Sequence, residues 1–159
     1  MDGKITNIRL AGLGGMGVLK ASLILSELLF ELGYDVKKAE VHGMSQRGGS
    51  ISSDVRFGKK VDSPMIPEGE VDFLLSLQPE WSDEHIVSMS KSGIRISPDD
   101  FDVEALPSQK ALNIAILGVL SKYLEEISEE KWLETLKKFF PEKLHLANET
   151  AFKLGRKGK

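Results

Sequence analysis

Residues 5–33 read ITNIRLAGLGGMGVLKASLILSELLFELG, and they set the fold class. Ile5, Ile8, Leu10 and Ala11 form a short apolar run that ends at Gly12. From Val18 to Leu32 the apolar residues Val18, Leu19, Leu25, Leu28, Leu29 and Leu32 recur at three- and four-residue steps, the period of a helix with one buried face. Gly33 is placed to stop that helix as its C′ residue. A strand, a glycine turn and a helix in that order are the first half of a βαβ unit.

The same alternation continues downstream. Asp35–Val41 reads as a second strand and Ser50–Phe57 as a third, with a turn at residues 58–60. Residues 62–70, DSPMIPEGE, are loop, and Phe73–Leu77 is a short apolar run of the kind buried in a parallel sheet. Pro79 is placed to open a helix with Trp81, His85, Ile86 and Met89 inward, and residues 93–96 read as another strand. Helices follow over Leu112–Leu124, Ser128–Phe139 and Leu144–Leu154. The expected fold is α/β: a Rossmann-like, three-layer open sheet, mostly parallel, occupying residues 1–159 as one domain.

Two loops hold the candidate site residues. The first is the glycine turn Gly12, Gly14, Gly15 and Gly17. Its G-x-G-x-x-G spacing, after a strand and before a helix, is that of a pyrophosphate cradle. Such a site also needs an acid ending the second strand, and Glu40 is the candidate. A second reading is that the glycines let strand and helix pack closely. The other loop lies in AEVHGMSQRGGSISSDVRFG, residues 39–58, where His42, Gln46, Arg47, Gly48, Gly49 and Ser50 precede an alternating strand. One fixed cation beside bare backbone N–H groups suits an anion, a cofactor edge or the backbone of a partner. A solvated turn is the plainer reading.

Composition narrows the functions. The chain has 159 residues and a net charge of −3, so no global field favours nucleic acid. It has no cysteine, which excludes disulfides, a thiol nucleophile and thiolate-ligated iron–sulfur clusters within it. No apolar run has the length of a membrane span, and MDGKITNIRL lacks the apolar core of a signal peptide, so a cytoplasmic protein without membrane contact is expected. The histidines are His42, His85 and His145, and only His42 sits in a candidate loop. No metal-ligand spacing and no G-x-S-x-G elbow occur; Glu129 and Glu130 after Ser128 are helix-capping chemistry.

The ordered set GLGGMG (12–17), KKAEVHGMSQRGGS (37–50), SPMIPEGEVDFLLSLQPEW (63–81), LNIAILGVLSKYL (112–124) and ANETAFKLGRK (147–157) resembles the gamma-type subunit or domain of 2-oxoacid:ferredoxin oxidoreductases, above all those acting on indolepyruvate. The resemblance covers nearly the whole chain. It implies a small subunit, inactive alone, in a complex that decarboxylates a 2-oxoacid to acyl-CoA and reduces ferredoxin. It further implies that thiamine diphosphate, Mg and the iron–sulfur clusters lie in a large alpha subunit, with coenzyme A as co-substrate. The two glycine-bearing loops, with His42, Gln46, Arg47 and Ser50, then become subunit-interface or cofactor-binding residues. The alternative function is a stand-alone nucleotide-binding module. Two departures stand out. Met16 occupies a position where the resembled enzymes often carry glutamine, and the connection over residues 97–111 is short.

Overall fold

In a computed structural model, residues 3–42, 49–78 and 85–159 are described. Five strands, β1 (Thr6–Leu13), β2 (Asp35–His42), β3 (Ser50–Gly58), β4 (Val71–Ser76) and β5 (Met89–Ile96), form one sheet in the order β2-β3-β1-β4-β5. The helices are α1 (Val18–Glu31), α2 (Leu112–Ser121), α3 (Glu129–Lys137) and α4 (His145–Lys157).

The sheet has a parallel half and an antiparallel half. β1, β4 and β5 pair in parallel, whereas β3 runs antiparallel to both β1 and β2. β2 therefore points the same way as β1, and four of the five strands share one direction. The β1–α1–β2 crossover leaves a one-strand gap, and the chain returns through it as β3. An antiparallel return needs only a short connection, unlike a parallel crossover. Periodicity detects strands and not their direction, so β3 was invisible as the opposing member.

One sheet face is apolar and carries the described helices. Ile8, Leu10, Val55, Phe57, Leu75 and Ile96 are fully buried in the core. Burying each such side chain contributes about 1.5–3 kcal/mol. A buried polar pair in this row is Ser22 of α1 against Ser53 of β3, hydroxyl to hydroxyl at 2.5 Å. α1 lies on β1, β2 and β3, and α2 lies beside β5; α3 and α4 pack on these two helices and form an outer layer. The opposite face carries a polar network. Arg9 grips Asp54 with two bonds of 2.7 and 2.9 Å, and Arg56 donates to Asn7 Oδ1 and to the carbonyls of Ser63 and Met65. Asp54 raises the pKa of the Arg9 guanidinium further above its ordinary value.

Local sequence explains the element ends. α1 closes with both bonds of a Schellman motif, Tyr34 N–H to the Leu29 carbonyl (3.2 Å) and Gly33 N–H to that of Phe30 (3.0 Å). Ser128 caps α3 by accepting from Lys131 N–H at 3.1 Å. α2 is buried over its length from Asn113 to Ser121 and crosses α4 at Gly118 and Gly155. Residues 98–100, 103–105 and 109–111 are 3-10 turns capped by Ser97, Asp102 and Ser108, so the short connection after β5 is compactly structured.

The helix expected to open at Pro79 is corrected at its far end. Met89 begins β5, and only a 3-10 turn at Ile86–Ser88 precedes it. The apolar spacing of Ile86 and Met89 suits a helix equally well, and short apolar runs do not separate the two. Pro79 and Trp81 lie outside the described residues.

Candidate functional site at the carboxyl edge of the sheet

Every candidate residue that the structure describes gathers at one sheet edge, where β1 and β2 end and β3 begins. Gly12, Ile51 and His42 occupy one row across three strands, and Leu13 stands opposite Ser50. The glycine turn projects beyond this row. Gly14 N–H donates to the Gly49 carbonyl at 2.6 Å, which ties the two candidate loops together. Gln46, Arg47 and Gly48 lie outside the described residues.

The turn is built from backbone. Gly12 is buried, and a methyl there would press on Val18 Cγ2 at 3.0 Å. Gly14, Gly15 and Gly49 are exposed, and the position of a side chain at Gly15 or Gly49 is open space. Met16 bends inward: its Sδ accepts from Leu13 N–H at 3.3 Å and it packs against the core. The apolar exchange seen in the sequence thus satisfies the turn's own backbone. What faces outward at Gly14, Gly15 and Gly49 is peptide, without side chains to hold a partner off.

Gly17 is the N-cap of α1 at φ 84°, left-handed, with no side-chain cap. Its carbonyl accepts from Ala21 N–H at 3.0 Å and from Asn113 Nδ2 at 3.1 Å. Asn113 was missed in the sequence. Its one signal there is an amide inside the otherwise apolar run LNIAILGVL. A buried amide needs partners, so such a residue marks a contact.

The geometry does not form a dinucleotide site of the usual plan. That plan puts the ribose-binding acid on the strand next to β1. Here β3 intervenes: Glu40 pairs with Ser53, which pairs with Leu10, so Glu40 lies two strands away, about 10 Å. Its carboxylate is also bonded to Lys38. Among the described residues no group of three or more His, Asp or Glu converges to hold a metal. Among the described residues no helix is long and apolar enough to cross a membrane. Other singled-out residues are structural. Trp132 is fully buried against Phe152, with ring centroids 5.5 Å apart, and His145 Nε2 meets the Phe140 carbonyl at 2.8 Å, close to the end of α3.

The described residues thus form an open α/β sheet with the glycine turn and the start of β3 joined at one edge. Residues 7–110 match the pyruvate ferredoxin/flavodoxin oxidoreductase family, and the chain belongs to it as a gamma-type member. It is 32% identical to indolepyruvate oxidoreductase subunit IorB of Thermococcus kodakarensis, over 95% of this chain and 94% of that one. That alignment spans 190 positions, more than the 159 residues available here, so the relative has segments without counterpart in this chain. The chain is also 43% identical to IorB of Pyrococcus horikoshii over 55% of its own length and 44% of the relative's. Its fold matches the keto/oxoacid ferredoxin oxidoreductase gamma subunit from Geobacter sulfurreducens, with a TM-score of 0.78, 21% identity and 96% coverage of both chains. It also matches 2-oxoglutarate:ferredoxin oxidoreductase from Magnetococcus marinus, with a TM-score of 0.78 and 21% identity, covering 97% of this chain but 31% of that one. There the same fold is one part of a much longer polypeptide.

Proposed function

We propose that this chain is the small subunit of a thiamine-diphosphate-dependent 2-oxoacid:ferredoxin oxidoreductase acting on indolepyruvate or another aryl pyruvate. The observation that carries the reading is the 32% identity to an indolepyruvate oxidoreductase subunit along nearly the whole chain. Residues 1–159 act as one gamma-type domain, inactive alone, in a cytoplasmic complex. The residues present do not suit the redox cofactors of that reaction. Without cysteine the chain offers no thiolates to a cluster, and its described residues offer no acidic cluster to a metal–diphosphate. Those cofactors belong to the large alpha subunit, with coenzyme A as co-substrate and ferredoxin reduced through the complex.

The contribution of this chain is a docking edge. Gly12, Gly14, Gly15, Gly17, Gly49 and Ser50, with His42 at the end of β2 and Gln46, Arg47 and Gly48 after it, close against the large subunit near its active site. Bare peptide allows the partner's backbone to come close, and Arg47 supplies the cation that fixes register. Arg47→Ala should melt like the parent yet lose about 1–3 kcal/mol of partner binding, the range for a charge-assisted contact. Arg47→Lys should recover part of that loss, because an ammonium cannot reproduce the two-donor fork. The measurements are thermal melting of the isolated chain and titration into the large subunit. Full binding by both variants would make Arg47 a solvated turn residue and remove it from the site.

A further inference from the structure

We propose that Asn113 is the positioning residue of the docking edge, a clamp that fixes the glycine turn from inside the core; the proposal rests on the subunit reading above. Asn113 is the second residue of α2 and is only 4% exposed. Its amide is used at both ends. Nδ2 donates to the Gly17 carbonyl at 3.1 Å, and Oδ1 accepts from Ile114 N–H at 3.0 Å. These two bonds fix the amide's orientation, since reversing it would set oxygen against carbonyl and N–H against N–H.

The clamp acts where the turn changes hand. Gly17 leaves the left-handed region to begin α1, which has no side-chain cap, so the N-cap peptide is held from outside its own helix. Asn113 fills the space that a side chain at Gly17 would take: an added Cβ would meet Asn113 Cγ at 2.9 Å. From Gly17 the constraint runs back through the turn to Gly14, whose N–H holds the Gly49 carbonyl. α2, the glycine turn and the start of β3 are therefore one hydrogen-bonded unit, with Asn113 the buried side chain that joins α2 to the turn. At Gly14, Gly15 and Gly49 the edge presents peptide, which has no side chain to adjust on docking. Its fit depends on where the peptide is held.

Asn113→Asp separates positioning from folding. Aspartate still accepts from Ile114 N–H and suits a helix N-terminus, but it places a second oxygen against the Gly17 carbonyl. Asn113→Ser is the companion variant, since its hydroxyl can cap Ile114 but is too short to reach Gly17. In whichever variant melts within a few degrees of the parent, amide exchange at residues 14–18 and 49–50 should rise at least about tenfold, with the amides of α2 unchanged. Affinity for the large subunit, titrated with the intact chain, should fall about tenfold. Unchanged exchange would overturn the clamp. Faster exchange with unchanged affinity would overturn the positioning role and leave Asn113 structural. Failure of the parent chain itself to bind the large subunit would instead overturn the subunit reading, while the exchange data still judge the clamp.

Discussion

Glycine serves opposite purposes at the two ends of α2. At its start, Asn113 reaches the glycine turn, where Gly15 and Gly17 stand at φ 88° and 84° and Gly15 has open space beside it. Further along, Gly118 and Gly155 have no positive φ, and what they lack is room. A methyl on Gly118 would run into the Phe152 carbonyl, and one on Gly155 would lie 2.7 Å from the Ala115 carbonyl carbon. The turn needs glycine for its backbone angle, and the crossing needs it for the missing Cβ. The crossing is therefore a feature of stability and the turn a feature of presentation.

The strongest test of this contrast is at the crossing. The opposing atoms there are backbone, which no rotamer change can move aside. Gly155→Ala should lower unfolding free energy by about 3 kcal/mol or more, with Gly118→Ala close behind. Chemical denaturation would measure it. A loss under about 1 kcal/mol would mean that α2 and α4 slide apart easily and that the crossing is not a rigid seam.

The turn should give smaller, graded losses. Gly17→Ala combines a left-handed backbone with a collision at Asn113, for about 2–3 kcal/mol. Gly15→Ala keeps only the backbone strain, about 1 kcal/mol. Equal losses at the two positions would show that Asn113 yields freely, and the two ends of α2 would then not be coupled through it.

The weakest link of the helical layer is ionic. Glu31 at the end of α1 binds Lys138 (2.8 Å) and Lys131 (2.9 Å), and these two, Lys138 foremost, hold its carboxyl below the usual carboxylate range. A carboxyl with a lowered folded-state pKa stabilises the fold above its unfolded pKa and stops doing so as pH falls through the folded value. Glu31→Gln should therefore lower Tm slightly at neutral pH, with the gap from the parent closing in acid. A gap that stays constant with pH would assign the effect to packing.

The sequence announced this arrangement unevenly. The turn was legible because G-x-G-x-x-G between a strand and a helix is a local pattern, and so was the stop at Gly33. Val18–Glu31 and Glu129–Lys137 fell within a few residues of where their apolar period and the Ser128 cap placed them. The crossing was not legible, since Gly118 and Gly155 are 37 residues apart and neither breaks its helical pattern. Glu40 looked like a ribose ligand because its distance along the chain was right. Only the insertion of β3 between β1 and β2 removes it from the turn. Asn113 shares that fate in reverse, a local oddity whose partner lies 96 residues earlier.

The central claim is that this chain completes an oxidoreductase rather than acting alone. It is tested most directly by mixing the purified chain with the large subunit and following viologen reduction with indolepyruvate and coenzyme A. The account predicts no turnover by the isolated chain and activity that rises with added chain to saturation at a fixed stoichiometry. Turnover by the isolated chain, or a large subunit whose activity and sedimentation ignore its addition, would contradict it.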